Sequence, residues 1–335
     1  MKSNLFSYRE LSSYLSVDIE KLRPKGSYKF LLENRNHNLE PFLREGSISQ
    51  EFLQRRSCPL CKSDNSDHVL KKDGFDIVKC QQCELVYVSE ILDEKFYDDT
   101  YSSEKYAAVV AKLGFESHLY RKERFGKERV SKLAQYWSGS KNPSFLDVGC
   151  STGFVVDAAA DFGWDARGID LNAHAVDYGI KNHNLRLSSQ NFFEMDDRFD
   201  FIGMYDVLEH VANPAAFLQN AIDRLNDNGC IHIYVPNWNS ASRYVLKDNS
   251  HFIWPSHHLT YFTPNTLCKM VESIGFEVME LETEGLDFFD IHWMSQEGLL
   301  EDKFEVSERI LNVIQFLANA GGHGKNLRCV AKKRT

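Results

Sequence analysis

Two sets of residues in this 335-residue chain have the types and spacing to do chemistry. The first is a pair of CxxC turns, Cys58-Pro-Leu-Cys61 and Cys80-Gln-Gln-Cys83, with 18 residues between them. A CxxC turn presents two sulfurs on one side of a tight knuckle. Two such knuckles complete the tetrahedral thiolate cage that zinc favours. Four protein thiolates leave no position for water or substrate, so a zinc held there is structural, and its binding energy is folding energy. The second set is the run Phe145-Leu-Asp-Val-Gly-Cys-Ser-Thr-Gly153, with Asp170 following 21 residues after Gly149. This run reads as a buried strand turning through a glycine loop into a helix. The pairing predicts an adenosine-type cofactor at the carboxyl edge of a parallel sheet, its ribose hydroxyls donating to Asp170. The loop has neither GxGxxG spacing nor a Gly-Lys-Ser/Thr end, which argues against a nucleotide with two or three phosphates. Gly149 and Gly153 permit a close turn around a smaller polar tail, and free N–H groups near Gly153 favour a carboxylate. Cys150 and Ser151 belong to this loop, whereas Cys230, Cys268 and Cys329 read as small buried hydrophobes.

The elements that must position these residues follow from hydrophobic period and turn signals. Residues 144–148, 165–170, 185–187, 199–204, 230–235, 276–281 and 326–331 read as strands. Residues 154–162, 173–181, 215–225 and 263–274 read as intervening helices, the last with a Thr263-Pro264 start. The alternation predicts an α/β, doubly wound, Rossmann-like domain over 96–335. Short strands at Val69–Lys71 and Phe75–Lys79 place the cysteines in a zinc ribbon over 55–95. Residues 1–54 read as a helical segment, with Phe6, Leu11, Leu15, Ile19 and Leu22 at helical spacing and a break at Pro24 and Gly26. Leu31, Leu32, Leu39, Phe42 and Leu43 extend the helical pattern. The segment is expected to pack on the ribbon or cover the site. A further helix is expected over 106–138. Phe96, Tyr97, Tyr101 and Tyr106 read either as linker packing or as an aromatic lid. An insertion near 282–325, with Phe288, Phe289, Trp293, Met294 and a helix over 306–318, reads equally as an acceptor cover or as ordinary core.

With these motifs the chain resembles the class I S-adenosylmethionine-dependent methyltransferases, and more narrowly small-molecule methyltransferases with an N-terminal zinc ribbon. Asp147 to Gly153 and Gly168-Ile-Asp170 carry the resemblance. Asp206-Val-Leu-Glu-His-Val211, His257-His-Leu-Thr-Tyr-Phe-Thr-Pro264 and Glu272-Ser-Ile-Gly-Phe276 strengthen it. Ser151 departs from the commoner glycine. The resemblance implies S-adenosylmethionine as cofactor and S-adenosylhomocysteine as product. It implies that Asp147, Gly149 and Gly153 shape the methionine pocket, that Cys150 and Ser151 complete that loop, and that Asp170 holds the ribose. It places Leu171, Asn191 and Phe192 around the adenine and Tyr205 and Asp206 near the reactive centre. His210 matches a recurring histidine of the family.

Methyl transfer to a neutral hydroxyl needs a proton acceptor, and histidine suits that role near neutral pH. His210, His257 and His258 are the candidate catalytic residues, with His251 nearby. His251, His257 and His258 lie in an aromatic stretch with Trp238, Tyr244, Phe252, Trp254, Tyr261 and Phe262, expected to wall the acceptor. Packed-loop histidines bonded to backbone are the competing reading. His323, in the Gly321-Gly-His-Gly324 turn, is a weaker candidate. The expected acceptor is a small metabolite in a biosynthetic pathway, methylated on oxygen. C- or N-methylation of a nucleotide-linked sugar or natural-product intermediate is the alternative. An RNA-binding or RNA-modifying protein is the reading from a different class. The net charge of −9 and the lack of a long basic, aromatic-interleaved surface argue against nucleic acid. No apolar run reaches the ~18 residues of a membrane span. No signal-peptide core opens the chain, so the expected location is cytoplasmic. A homo-oligomer stays open.

Overall fold

The computed structural model describes residues 17–22, 24–139, 142–250, 252–296, 298, 300 and 306–334. Phe6, Leu11, Leu15 and His251 therefore lie outside the described residues. A seven-stranded sheet forms the centre. Across it the order is Leu187–Ser188, Asp165–Ile169, Ser144–Val148, Phe199–Tyr205, Leu225–Pro236, Asn326–Lys333 and Phe276–Glu284. The first five are parallel, and Asn326–Lys333 runs antiparallel to both of its neighbours. Successive strands step outward one way from Ser144–Val148 and then resume on its other side at Phe199–Tyr205. The crevice between the carboxyl ends of those two strands is where a doubly wound sheet takes its ligand. Phe145, Leu146, Phe201, Ile202, Ile231 and Ile233 are wholly buried between the helical layers.

The helices start where their caps dictate. Asn172 accepts from the Ala175 N–H ahead of Ala173–His183, and Asn213 accepts from the Ala216 N–H ahead of Pro214–Arg224. Thr263 and Thr266 cap each other reciprocally ahead of Pro264–Ser273. Two expectations shift. The third strand begins at Leu187, not 185, because the preceding helix closes through left-handed Asn184 and the Leu185 N–H bonds back to Gly179. The helix expected over 106–138 is broken into Glu104–Val110, His118–Arg121 and Lys127–Ala134 by wide turns at Ala111–Phe115 and Lys122–Gly126. At the second turn Gly126 lies against Phe154–Asp161, where a Cβ would come within 2.9 Å of the Phe154 carbonyl.

Before the sheet, helix Ser27–Leu39 ends at Pro41, so Phe42 and Leu43 leave the helical pattern for a short turn and a Leu43–Arg44 strand. The cysteine segment folds as strands Ser66–Lys72, Phe75–Cys80 and Val86–Val88. Their sheet takes its fourth strand from far along the chain, Thr260–Tyr261, which pairs with Val86–Val88. Cys58, Cys80, Cys83 and Leu85 share one apolar core with Leu208, Phe262, Leu267 and Val271. The ribbon is thus built into the flank of the main sheet.

Candidate active site

A cavity of about 1210 Å³ opens at the crevice. Gly149, Cys150, Ser151, Asp170, Leu171, Asn191, Phe192, Tyr205, Asp206 and Asp147 all line it. Gly153 does not: it caps the following helix at φ 81°, and a Cβ there would come within 2.9 Å of Leu185 and Leu187. Gly149 also has positive φ, 73°, and presses on Val207. Ser151 adopts φ 50° as well, so it occupies a left-handed position that glycine would take without strain. Its amide donates to Asp170 Oδ2 at 2.8 Å, and the Asn172 amide donates to Oδ1 at 2.8 Å. Each Asp170 oxygen accepts one backbone hydrogen bond and keeps a further lone pair, and the residue lines the cavity. Burial raises the Asp170 pKa, with those two amides opposing it. Asp147 is more enclosed, and its Oδ1 lacks a hydrogen-bond partner. Desolvation lifts its pKa to about 8, against the pull of Arg129.

Arg129 carried no signal in the sequence beyond its place on a helix. Its guanidinium has no hydrogen bond or ion pair among the described residues and is held by the rings of Tyr205 at 4.3 Å, Tyr234 at 4.8 Å and Phe154 at 5.4 Å. Arg121, which also lines the cavity, spends its Nε–H on Ser117. Other cations in the wall are committed: Arg328 pairs with Glu128, Glu282 and Glu284, and Lys132 with Glu280 and Glu282. Arg129 is therefore a guanidinium open to a carboxylate beside the glycine loop.

Tyr97, Tyr101 and Tyr106 line the cavity from Glu94–Ser102 and Glu104–Val110, as the lid reading requires, while Phe96 turns away onto Phe42. Val17 and Leu22 add to the wall, and Arg35 bonds to Asp73 of the ribbon at 2.8 Å. The early segment both meets the ribbon and covers the site. Of the aromatic stretch expected to wall the acceptor, Phe252 and His258 line the cavity; Trp238, Tyr261 and Phe262 are core. From 282–325 the rim residues Glu282 to Leu286 and Lys325 reach the cavity. Phe288, Trp293 and Met294 pack instead with Leu246 and Ile291. His323 bonds to the Asn239 carbonyl, outside the cavity wall.

His210 and His258 line the cavity, and His257 does not. His257 Nδ1 meets Ser256 Oγ at 2.8 Å, and its backbone carbonyl accepts from His210 Nδ1 at 3.0 Å. Tyr101 Oη also lies 2.7 Å from His210 Nδ1. His258 Nδ1 donates to the Phe252 carbonyl at 2.7 Å. Desolvation lowers the His210 pKa to about 4 and the His257 pKa to about 3, and takes His258 well below the ordinary range. Glu209, which the sequence reading passed over, is 1% exposed with both carboxylate oxygens unpartnered, and burial raises its pKa well above normal. A Glu209 oxygen and one ring nitrogen each of His210 and His258 lie within 4.8 Å of one another.

The four ribbon sulfurs also lie within 4.8 Å of one another, with Cys58 to Cys83 and Cys61 to Cys80 at 3.4 Å. Both knuckles have one geometry: the residue after the second cysteine, Lys62 or Glu84, is left-handed and bonds back to the first cysteine's carbonyl. Sulfurs at such separations fit a zinc about 2.3 Å from each.

Comparison with known proteins meets this geometry. A family model described as a methyltransferase domain matches residues 117–281, a span holding the glycine loop, Asp170, Asp206 and the histidines. Residues 117–281 form a methyltransferase domain, and the chain is an S-adenosylmethionine-dependent methyltransferase. Among curated relatives of this methyltransferase, the ubiquinone biosynthesis O-methyltransferase of Aeromonas salmonicida is 24% identical over 168 residues, 46% of this chain and 71% of that one. Its namesake from Rickettsia bellii is 23% identical over 206 residues, 56% of this chain and 79% of that one. A solved S-adenosylmethionine-dependent methyltransferase from Archaeoglobus fulgidus superimposes with a TM-score of 0.45 and 22% identity, covering 65% of this chain and 98% of that one. No helix among the described residues is long and apolar enough to cross a membrane.

Proposed function

We propose that this methyltransferase acts on a hydroxyl oxygen of a small biosynthetic metabolite. The observation that carries the reading is one continuous cavity that joins the glycine loop and Asp170 to the Glu209, His210 and His258 cluster. The volume of about 1210 Å³ exceeds what one nucleoside-sized ligand needs, leaving room for an acceptor beside the cofactor. Both curated relatives quoted above are named as O-methyltransferases of biosynthesis, which supports oxygen as the acceptor atom.

Bound S-adenosylmethionine supplies a methyl group on a sulfonium, which leaves as a thioether while an oxygen–carbon bond forms. The chain's own residues bind and align. Asp170 takes the ribose hydroxyls, Leu171, Asn191 and Phe192 border the base, and Arg129 holds the methionine carboxylate. Asp147, Gly149, Cys150 and Ser151 shape the tail pocket, and Gly153 sets the loop from behind. Tyr97, Tyr101 and Tyr106 exclude water, so that alignment contributes much of the rate. The acceptor hydroxyl docks by Asp206 against Glu209, His210 and His258, and an imidazole nitrogen of the pair takes its proton. His257 supports this cluster through its carbonyl. Cys58, Cys61, Cys80 and Cys83 hold one structural zinc.

The test is incubation of the zinc-loaded protein with methyl-labelled S-adenosylmethionine and a panel of hydroxylated, aminated and sugar-linked small molecules. Product NMR then locates the label. A methyl ether supports the reading; label found only on carbon or nitrogen refutes it.

A further inference from the structure

The Glu209, His210 and His258 cluster has an electrostatic oddity. A backbone carbonyl can only accept, so the contact of His258 Nδ1 with the Phe252 carbonyl puts that ring's proton on Nδ1, and the contact of His210 Nδ1 with the His257 carbonyl does the same there, with Tyr101 Oη as a second acceptor 2.7 Å away. Each Nε2 is then left with a bare lone pair. One ligand-capable atom of each side chain lies within 4.8 Å of the other two, and neither buried Glu209 oxygen has a hydrogen-bond partner. A shared proton does not fill the gap, since Glu209 Oε1 stands 3.9 Å from His210 Nε2, beyond hydrogen-bonding reach. An ion about 2.1 Å from each atom spans such a separation.

We propose that Glu209, His210 and His258 bind a divalent transition-metal ion inside the acceptor end of the cavity. Two imidazoles and one carboxylate suit manganese, iron, cobalt or zinc. Both rings already donate Nδ1–H to a backbone carbonyl, the outer-shell arrangement that orients metal-ligating histidines. The Glu209 backbone is fixed too, its carbonyl accepting from the Leu259 and Thr260 amides. Three protein ligands leave open positions toward the cavity, where the ion would take one or two oxygens of the acceptor. The favoured substrate class is thus a hydroxyl with a neighbouring oxygen, such as an aromatic vicinal diol. An oxygen bound this way is more acidic, so its proton passes to solvent as the oxygen–carbon bond forms, and the two histidines serve as ligands in place of bases. The inference rests on the O-methyltransferase reading for its purpose, but not for its test. A second group, His118, Asp157 and His183, does not compete: the two imidazole planes are stacked 3.7 Å apart at 10°, so their lone pairs run side by side and do not converge.

The experiment is titration of Mn²⁺ into the full-length protein with its ribbon zinc in place, bound ion being read by electron paramagnetic resonance. S-adenosylhomocysteine affinity is measured in parallel. A four-thiolate site binds manganese poorly, so the ribbon stays silent. One Mn²⁺ per chain is expected, with affinity reduced at least ~10-fold in Glu209→Gln and in His258→Gln and unchanged in Asp157→Asn. Unchanged nucleoside affinity in the variants shows that the fold and cofactor site survive. No bound Mn²⁺, and no Co²⁺ or Zn²⁺ beyond one equivalent per chain, overturns the proposal. So does a bound ion that both cluster variants retain. Loss of nucleoside binding in the wild-type protein would instead refute the methyltransferase site itself.

Discussion

Replacing Arg56 with methionine should loosen the ribbon and the acceptor end of the site together. Arg56 lies just before the first cysteine knuckle. Its guanidinium donates to the Val88 carbonyl at 2.8 Å, to the Ala212 carbonyl at 2.9 Å and to the Leu259 carbonyl. These belong respectively to the ribbon strand, the segment after His210 and the residue after His258. Among the described residues no carboxylate pairs with it; Tyr87 supplies a ring 5.6 Å away, and desolvation brings the Arg56 pKa to about 10, still cationic at neutral pH. Bonds from a charged donor contribute ~1.5–3 kcal/mol each. Three such bonds, offset by the cost of keeping a cation out of water, leave a loss of about 4 kcal/mol. The Leu259 carbonyl retains the Val88 N–H at 3.0 Å, which limits the damage there. Urea unfolding of the zinc-loaded protein measures the loss. Arg56→Lys should recover only about one bond, ~1–2 kcal/mol, because an ammonium cannot fork to three carbonyls. Turnover should fall in Arg56→Met while S-adenosylhomocysteine affinity stays near wild type, since Asp170 and Arg129 are on other elements. A loss under about 1 kcal/mol, or equal loss of nucleoside affinity and turnover, would refute the claim that this residue couples the ribbon to the histidine cluster.

Three further outcomes are expected. Arg129→Met should weaken S-adenosylhomocysteine binding by roughly 10–100-fold, a charge-assisted contact, and leave 5′-methylthioadenosine binding unchanged because that ligand has no carboxylate; calorimetry with both ligands checks it. Ser151→Gly should stabilise the protein by about 0.5–1 kcal/mol in urea unfolding by relieving the left-handed strain, whereas Ser151→Val should destabilise it. The Asp147 carboxyl, raised in the folded state to about 8 by desolvation, contributes stability that is present at low pH and lost as pH climbs from the ordinary carboxylate range through 8. Thermal unfolding of cofactor-free Asp147→Asn should therefore decline less between pH 6 and 9 than that of the wild type, and parallel profiles would contradict the burial argument.

The catalytic sheet was legible because its signals are local. Hydrophobic runs ended by Gly149 and Asp170, and the Thr263-Pro264 start, need no distant partner to be read. The two CxxC knuckles were legible for the same reason. What escaped was set by long-range packing. Thr260–Tyr261 joins the ribbon sheet only because chain segments 173 to 175 residues apart meet, and nothing in a two-residue strand announces its partner. Glu209 stood in the Asp206–Val211 motif with no role of its own; only folding shows it buried without a hydrogen-bond partner. Arg129 is one of many arginines until Tyr205 and Tyr234 close around it. His257 and His258 could not be separated in sequence. The turn bonds of both amides to the Trp254 carbonyl set one ring toward the cavity and leave the other to Ser256.

The central claim is that an adenosyl cofactor lies across the ends of Ser144–Val148 and Asp165–Ile169 with its ribose on Asp170. Calorimetry of S-adenosylhomocysteine with wild type and Asp170→Ala tests it most directly. The expected result is one ligand per chain and an affinity lower by at least ~100-fold in the variant, two hydrogen bonds to a carboxylate being lost. A folded Asp170→Ala protein that binds within threefold of wild type, or a wild-type protein that takes up no ligand, would contradict it.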